Sequence, residues 1–299
     1  MNDLTLLDGG TGRELQHRGL VKRGSIWSAL ALRERPDVVR DIHESFIKAG
    51  ADVITVNNYS VVPALLALEG MEGEFESLIY LAGDLAKRAR DKCNSAVRVA
   101  GSLPPLNISY RHDLVGSEED NIRTYRRIAE GLSQKVDLFL CETMSSGIEA
   151  RAAVRAVADF GKPIWVAWSL GNNPDGRLLS GETIEEALLL LDGLPVDTYL
   201  FNCCPPESIS AALPILRSLT ERPIGAYANS FDVPRPERGE TPLRQDITPD
   251  SYRDWVAGWI HAGARVLGGC CGIGPAHIAL LRDQFDRQST SNARTRGSS

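Results

Sequence analysis

The chain has 299 residues, 43% of them apolar and 24% charged, a balance typical of soluble globular proteins with ample material for a core. Its formal charge is −6, and residues 287–299 hold three arginines and no acid, so the rest of the chain is more acidic still. An acidic body disfavours nucleic acid and anionic membranes as partners, no run approaches the ~18 apolar residues of a membrane span, and the N-terminus lacks a basic-then-apolar targeting pattern; a cytoplasmic protein is expected.

Short β-rich runs alternate eight times with longer helical stretches, and strands are expected at 4–7, 52–56, 97–101, 136–141, 163–168, 198–201, 223–227 and 265–267. Most are continuous apolar runs, the pattern of parallel strands covered on both faces. After the first strand, Pro36-Asp37 opens a helix with Val39, Ile42 and Phe46 inward and Gly50 as its stop. Ahead of the last strand, Thr248-Pro249-Asp250 is an N-cap followed by proline at the first helical position. Tyr252, Trp255, Val256, Trp259 and Ile260 then fall on one helical face.

Eight such units over residues 1–286 fit an α/β fold of one domain, a single closed (β/α)8 TIM barrel. A doubly wound open sheet is the weaker alternative, because no glycine-rich phosphate fingerprint follows the first strand. The polar stretch 287–299 is expected to be a disordered tail. Two irregular stretches, 107–117 and 231–247, would lie over the C-terminal mouth of a barrel.

Active sites of such barrels lie at the carboxyl ends of the strands, and the candidate polar residues fall there. Asp8-Gly9-Gly10 follows strand 1, Asn57-Asn58-Tyr59 strand 2, Glu142-Thr143 strand 4, Asn202-Cys203 strand 6, Asn229-Ser230 strand 7 and Cys270-Cys271 strand 8. Each has a plainer use. Asp8 and Glu142 could cap helices or accept structural hydrogen bonds, but as a pair near a metal they suit a ligand ammonium group. Gly9 and Gly10 could form a turn, yet their bare amides can also approach a ligand carboxylate.

Of six cysteines, Cys93 and Cys141 read as buried packing residues. Cys203, Cys270 and Cys271, at the ends of strands 6 and 8, could converge on one zinc ion. Three thiolates leave a tetrahedral site one ligand short, which marks a catalytic rather than a structural centre. Cys203 and Cys204 could instead be a vicinal redox pair, but that leaves Cys270 and Cys271 unexplained. Adjacent residues of a strand point opposite ways, so Cys203 and not Cys204 is expected to ligate. The five histidines include no H-x-H pair, against a hydrolytic His/Asp metal site, and no G-x-S-x-G elbow is present.

Leu7-Asp8-Gly9-Gly10, the stretch 53–59, Cys141-Glu142-Thr143, Phe201-Asn202-Cys203 and the stretch 268–272 together resemble the motifs of the homocysteine S-methyltransferase family, over about residues 4–285. Ser25-Ile26-Trp27-Ser28-Ala29 and Tyr227-Ala228-Asn229-Ser230 are most similar to the S-methylmethionine-dependent branch. The resemblance implies a zinc barrel with Cys203, Cys270 and Cys271 as ligands and Asp8 and Glu142 on the amino group of homocysteine. It implies amides near Gly9 on the carboxylate. Asn57 and Asn202, at the ends of strands 2 and 6, are expected as further substrate contacts. The partners expected are homocysteine and a small-molecule methyl donor, a sulfonium such as S-methylmethionine or S-adenosylmethionine, with no nucleic acid and no membrane. Trp27 and Tyr59 are candidates to receive the donor cation. Betaine-dependent transfer, or service as the homocysteine-binding subunit of a corrinoid system, are the alternatives.

Overall fold

The structure is a computed structural model, and it describes residues 4–20, 26–93, 96–233 and 242–296, without the side chains of Trp27 and of residues 288–296. Eight strands form one sheet: β1 (Thr5–Leu6), β2 (Val53–Thr55), β3 (Arg98–Leu103), β4 (Leu138–Met144), β5 (Ile164–Trp168), β6 (Thr198–Asn202), β7 (Ile224–Tyr227) and β8 (Val266–Leu267). From β2 to β8 each strand pairs in parallel with the next, and β1 pairs with β8. A parallel bridge from Leu7 to Val53 joins β1 to β2 and closes the barrel.

The helices are α1 (Thr11–His17), α2 (Trp27–Glu34), α3 (Pro36–Lys48), α4 (Pro63–Ala67), α5 (Phe75–Cys93), α6 (Glu118–Leu132), α7 (Gly147–Val157), α8 (Ile184–Leu189), α9 (Pro206–Leu219), α10 (Pro249–His261) and α11 (Pro275–Arg296). Helix α3 begins at its proline and buries Val39, Ile42 and Phe46. Thr248 caps α10 by accepting from the Ser251 amide, and Tyr252, Val256 and Trp259 are buried. Helix α11 runs ten residues past 286 into the polar stretch read from the sequence as a tail, of which residues 297–299 lie outside the described residues. Among the described residues no helix is long and apolar enough to cross a membrane.

Two apolar cores result. The larger lies between strands and helices; the smaller fills the barrel with Leu7, Val53, Ala100, Leu138, Leu140, Trp165, Ala167, Leu200, Tyr227 and Val266. Side chains alternate along a strand, so the residue two places beyond each inner apolar position also faces inward, one layer nearer the mouth. Thr55 follows Val53, Ser102 follows Ala100, Glu142 follows Leu140, and Asn202 follows Leu200. The barrel interior therefore turns from apolar to polar at its C-terminal end. That change of layer builds the site.

Candidate metal and substrate site

A cavity of about 330 Å³ opens at this mouth, lined by the loop after β1, the ends of β2, β4, β6 and β7, and the loop after β8. Asp8, Gly9, Glu142, Cys203, Cys270 and Cys271 all stand on its wall. The close approach of two loops explains the glycines after β1. A Cβ on Gly9 would lie 2.1 Å from the Ile273 carbonyl oxygen, and one on Gly10 would lie 2.5 Å from that of Cys270.

The sulfurs of Cys203, Cys270 and Cys271 lie within 4.8 Å of one another, with Cys270 Sγ donating to Cys203 Sγ at 3.2 Å. Tetrahedral zinc–sulfur bonds of ~2.3 Å put ligand sulfurs ~3.8 Å apart, and all three sulfurs here lie within 4.8 Å of one another. Strand ends set the three positions. The Cys203 amide donates to the Tyr227 carbonyl at 3.2 Å and the Cys270 amide to that of Ala228 at 2.9 Å. Tyr252 of α10 holds β7 against β8, accepting from the Ala228 amide at 3.0 Å and donating to the Gly268 carbonyl at 2.6 Å. Cys203 has φ of +54°, a left-handed conformation that turns it out of strand register. Cys204, in contrast, packs in the outer core, as does Cys141.

The thiols cannot all ionise unaided. Hydrogen bonds from Cys203 and Cys270 hold Cys271 well below the usual thiol range. Contact with Cys203 and Cys271, and burial, push Cys270 well above it. Cys203 also rises, because contact with Cys271 and burial outweigh the hydrogen bond it gains from Cys270. One thiolate with two thiols is the state favoured without a counter-charge. A divalent cation would supply that charge, so the donor set and its spacing fit a thiolate-binding metal.

The carboxyl groups are also buried. Asp8 accepts from the Thr55 amide at 2.8 Å and the Thr55 hydroxyl at 3.1 Å, and burial pushes it up to about 8. Glu142 accepts from the Ser102 hydroxyl at 2.5 Å, and burial raises it to about 7. Both would ionise readily beside a bound cation.

Asn57 and Asn202, the two further substrate contacts expected, do not line the cavity, and neither do Asn58, Thr143, Asn229 and Ser230. Asn57 donates to the Ser28 carbonyl at 3.2 Å. Asn202 is fully buried and spans to Thr143, accepting from its amide at 2.9 Å and donating to its hydroxyl at 3.0 Å. Thr143 has φ of +60° at a register shift between β4 and β5. Asn202 thus braces a strained turn next to Glu142. Tyr59 lines the cavity, with its hydroxyl 2.8 Å from that of Ser109, while the side chain of Trp27 lies outside the described residues.

Tyr110 and Tyr227 also line the cavity, and neither was singled out as a site residue from sequence. Tyr227 has an available signal, strand alternation. Tyr110 sits in an irregular loop where no periodicity applies.

A family model described as homocysteine S-methyltransferase matches residues 5–285. The homocysteine S-methyltransferase of Escherichia coli is 31% identical over 94% of this chain and 94% of its own length. The selenocysteine Se-methyltransferase of Brassica oleracea is 28% identical over 94% of this chain and 88% of its own. The crystal structure of the metallated form of the homocysteine methyltransferase MmuM from Escherichia coli superimposes with a TM-score of 0.82 at 30% identity, covering 94% of this chain and 96% of that one.

Proposed function

Because this chain belongs to the homocysteine S-methyltransferase family and transfers a methyl group to homocysteine to give methionine, we propose how its residues divide that task. Cys203, Cys270 and Cys271 would hold zinc, and the ion would bind the sulfur of homocysteine. The chemistry the ion supplies when bound is deprotonation of that thiol at neutral pH, where a free thiol of pKa ~8.5 stays mostly protonated.

Asp8 and Glu142 hold the α-amino group of homocysteine, and the amides near Gly9 meet its carboxylate. One cavity holding three thiols and a carboxyl pair is the observation that carries this reading. The amino acid is thereby anchored at both ends. Its sulfur is left facing the remaining wall, where Ser28, Tyr59, Ser60 and Tyr110 stand.

The methyl donor is a sulfonium, S-methylmethionine or S-adenosylmethionine. A sulfur lone pair of homocysteine forms the new S–CH3 bond while the donor's CH3–S bond breaks, its electron pair staying on the departing neutral sulfide. The homocysteine thiol proton leaves to solvent. Such a displacement needs orientation more than acid–base help, and the tyrosine-lined wall suits a donor cation. The six cysteines are unpaired, which supports work in the reducing cytoplasm.

The test is methionine formation by reduced, zinc-loaded protein given homocysteine with S-methylmethionine, S-adenosylmethionine or betaine in separate reactions. Turnover with a sulfonium and not with betaine is expected. Turnover with betaine alone, or silence with all three while zinc stays bound, would overturn the donor assignment.

A further inference from the structure

Tyr227 is the last residue of β7 and belongs to the inner core of the barrel. Its side chain is 4% exposed and lines the cavity with Glu142, Cys203 and Cys270, yet its hydroxyl has no hydrogen-bond partner among the described residues. The other tyrosines of the cavity differ. Tyr59 meets Ser109 at 2.8 Å, and Tyr110 meets Cys203 at 3.0 Å. A buried hydroxyl left unpaired is costly and uncommon, so each one needs an explanation. Beyond burial, the groups that act on this phenol are, strongest first, Glu142, Cys270, Cys203 and Asp8. It shares one cavity wall with the carboxyl pair and the three thiols.

An alkylammonium group carries three N–H donors and needs three acceptors when buried. Asp8 and Glu142 provide two, and both already accept from neighbours: Asp8 from Thr55 through both oxygens, Glu142 from Ser102 through Oε1. We propose that Tyr227 is the third acceptor, its phenol oxygen taking a hydrogen bond from the α-amino group of homocysteine. The inference rests on the reading of Asp8 and Glu142 as the ammonium site. With three acceptors the ammonium is fixed in rotation as well as position, which directs the two-methylene arm toward the cysteines. Tyr227 is in this sense a specificity residue for an α-amino thiol.

The test compares wild type with Tyr227→Phe, which removes the oxygen and keeps the ring. Zinc-loaded protein is titrated calorimetrically with homocysteine and with 4-mercaptobutanoate, the same thiol acid without the amino group. Wild type should bind homocysteine more tightly; equal binding would overturn the ammonium site itself, and the Tyr227 role with it. With that preference in place, Tyr227→Phe should weaken homocysteine about tenfold and 4-mercaptobutanoate less than about twofold, the pattern of one lost hydrogen bond to a charged group. KM for homocysteine should rise with kcat held. Weakening of neither ligand would overturn the assignment. Equal weakening of both would do so too, and would place the hydroxyl on the sulfur or the carboxylate.

Discussion

The hydroxyl of Tyr110 lies 3.0 Å from Sγ of Cys203. Asn229 links this contact to the second cysteine pair, donating to the Tyr110 oxygen at 3.4 Å and accepting from the Cys271 amide at 3.2 Å. Tyr110 reaches this position from the loop after β3 with φ of +68°. A phenol donating to a thiolate spreads its charge and fixes its direction, the usual service of groups that surround a metal's ligands. Tyr110→Phe should lower zinc affinity about tenfold, measured by chelator competition, with little change in melting temperature. Unchanged affinity would show the contact to be idle.

The cysteines should separate cleanly by position. Cys203→Ser, Cys270→Ser or Cys271→Ser is expected to lose bound zinc, because hydroxyl does not replace thiolate as a zinc ligand at neutral pH. Cys204→Ala should keep it, since Cys204 is buried in the outer core and outside the thiol cluster. Metal content of the purified variants, read by mass spectrometry, decides. A zinc-replete Cys270→Ser protein would contradict the ligand set.

The carboxyl pair predicts how the metal-free, substrate-free protein responds to pH. Burial raises Asp8 from its ordinary 3.8 to about 8, so the folded state holds that proton where the unfolded chain has released it. The contribution is fully present below the unfolded value and is lost as pH rises through the folded one. Glu142 acts in the same direction, between 4.5 and about 7. Stability should therefore fall from pH 5 toward pH 8, by up to about 1.4 kcal/mol per pH unit for Asp8 alone. Asp8→Asn should flatten that slope in urea titrations across the range. A variant as steep as wild type would remove Asp8 from the account.

Asn202 should matter through Thr143 rather than through substrate. Asn202→Ala removes the partners of a buried amide and hydroxyl at a left-handed threonine. A loss of about 2–3 kcal/mol of stability is expected, with KM for homocysteine raised as Glu142 shifts. Equilibrium unfolding and steady-state kinetics measure the two effects. Loss of homocysteine binding at unchanged stability would instead restore Asn202 as a direct contact.

Sequence alone determined the alternation of eight strands and helices, because a parallel strand covered on both faces must be a continuous apolar run. It determined the placement of Asp8, Gly9, Glu142 and the three cysteines around one mouth, because in a closed barrel every strand end faces the same way. Strand limits were less legible: β3, β4 and β6 run on to Leu103, Met144 and Asn202, where polar residues take ladder positions that apolar patterning does not mark. The tertiary structure decided which polar groups remain free to act. Asn57 and Asn202 are used by Ser28 and Thr143, and the Tyr110 hydroxyl by Cys203, whereas that of Tyr227 is unpaired among the described residues. A side chain's unused hydrogen bonds depend on partners that barrel closure brings from distant strands, 59 residues away for Asn202 and 93 for Tyr110. Local sequence carries no record of that pairing.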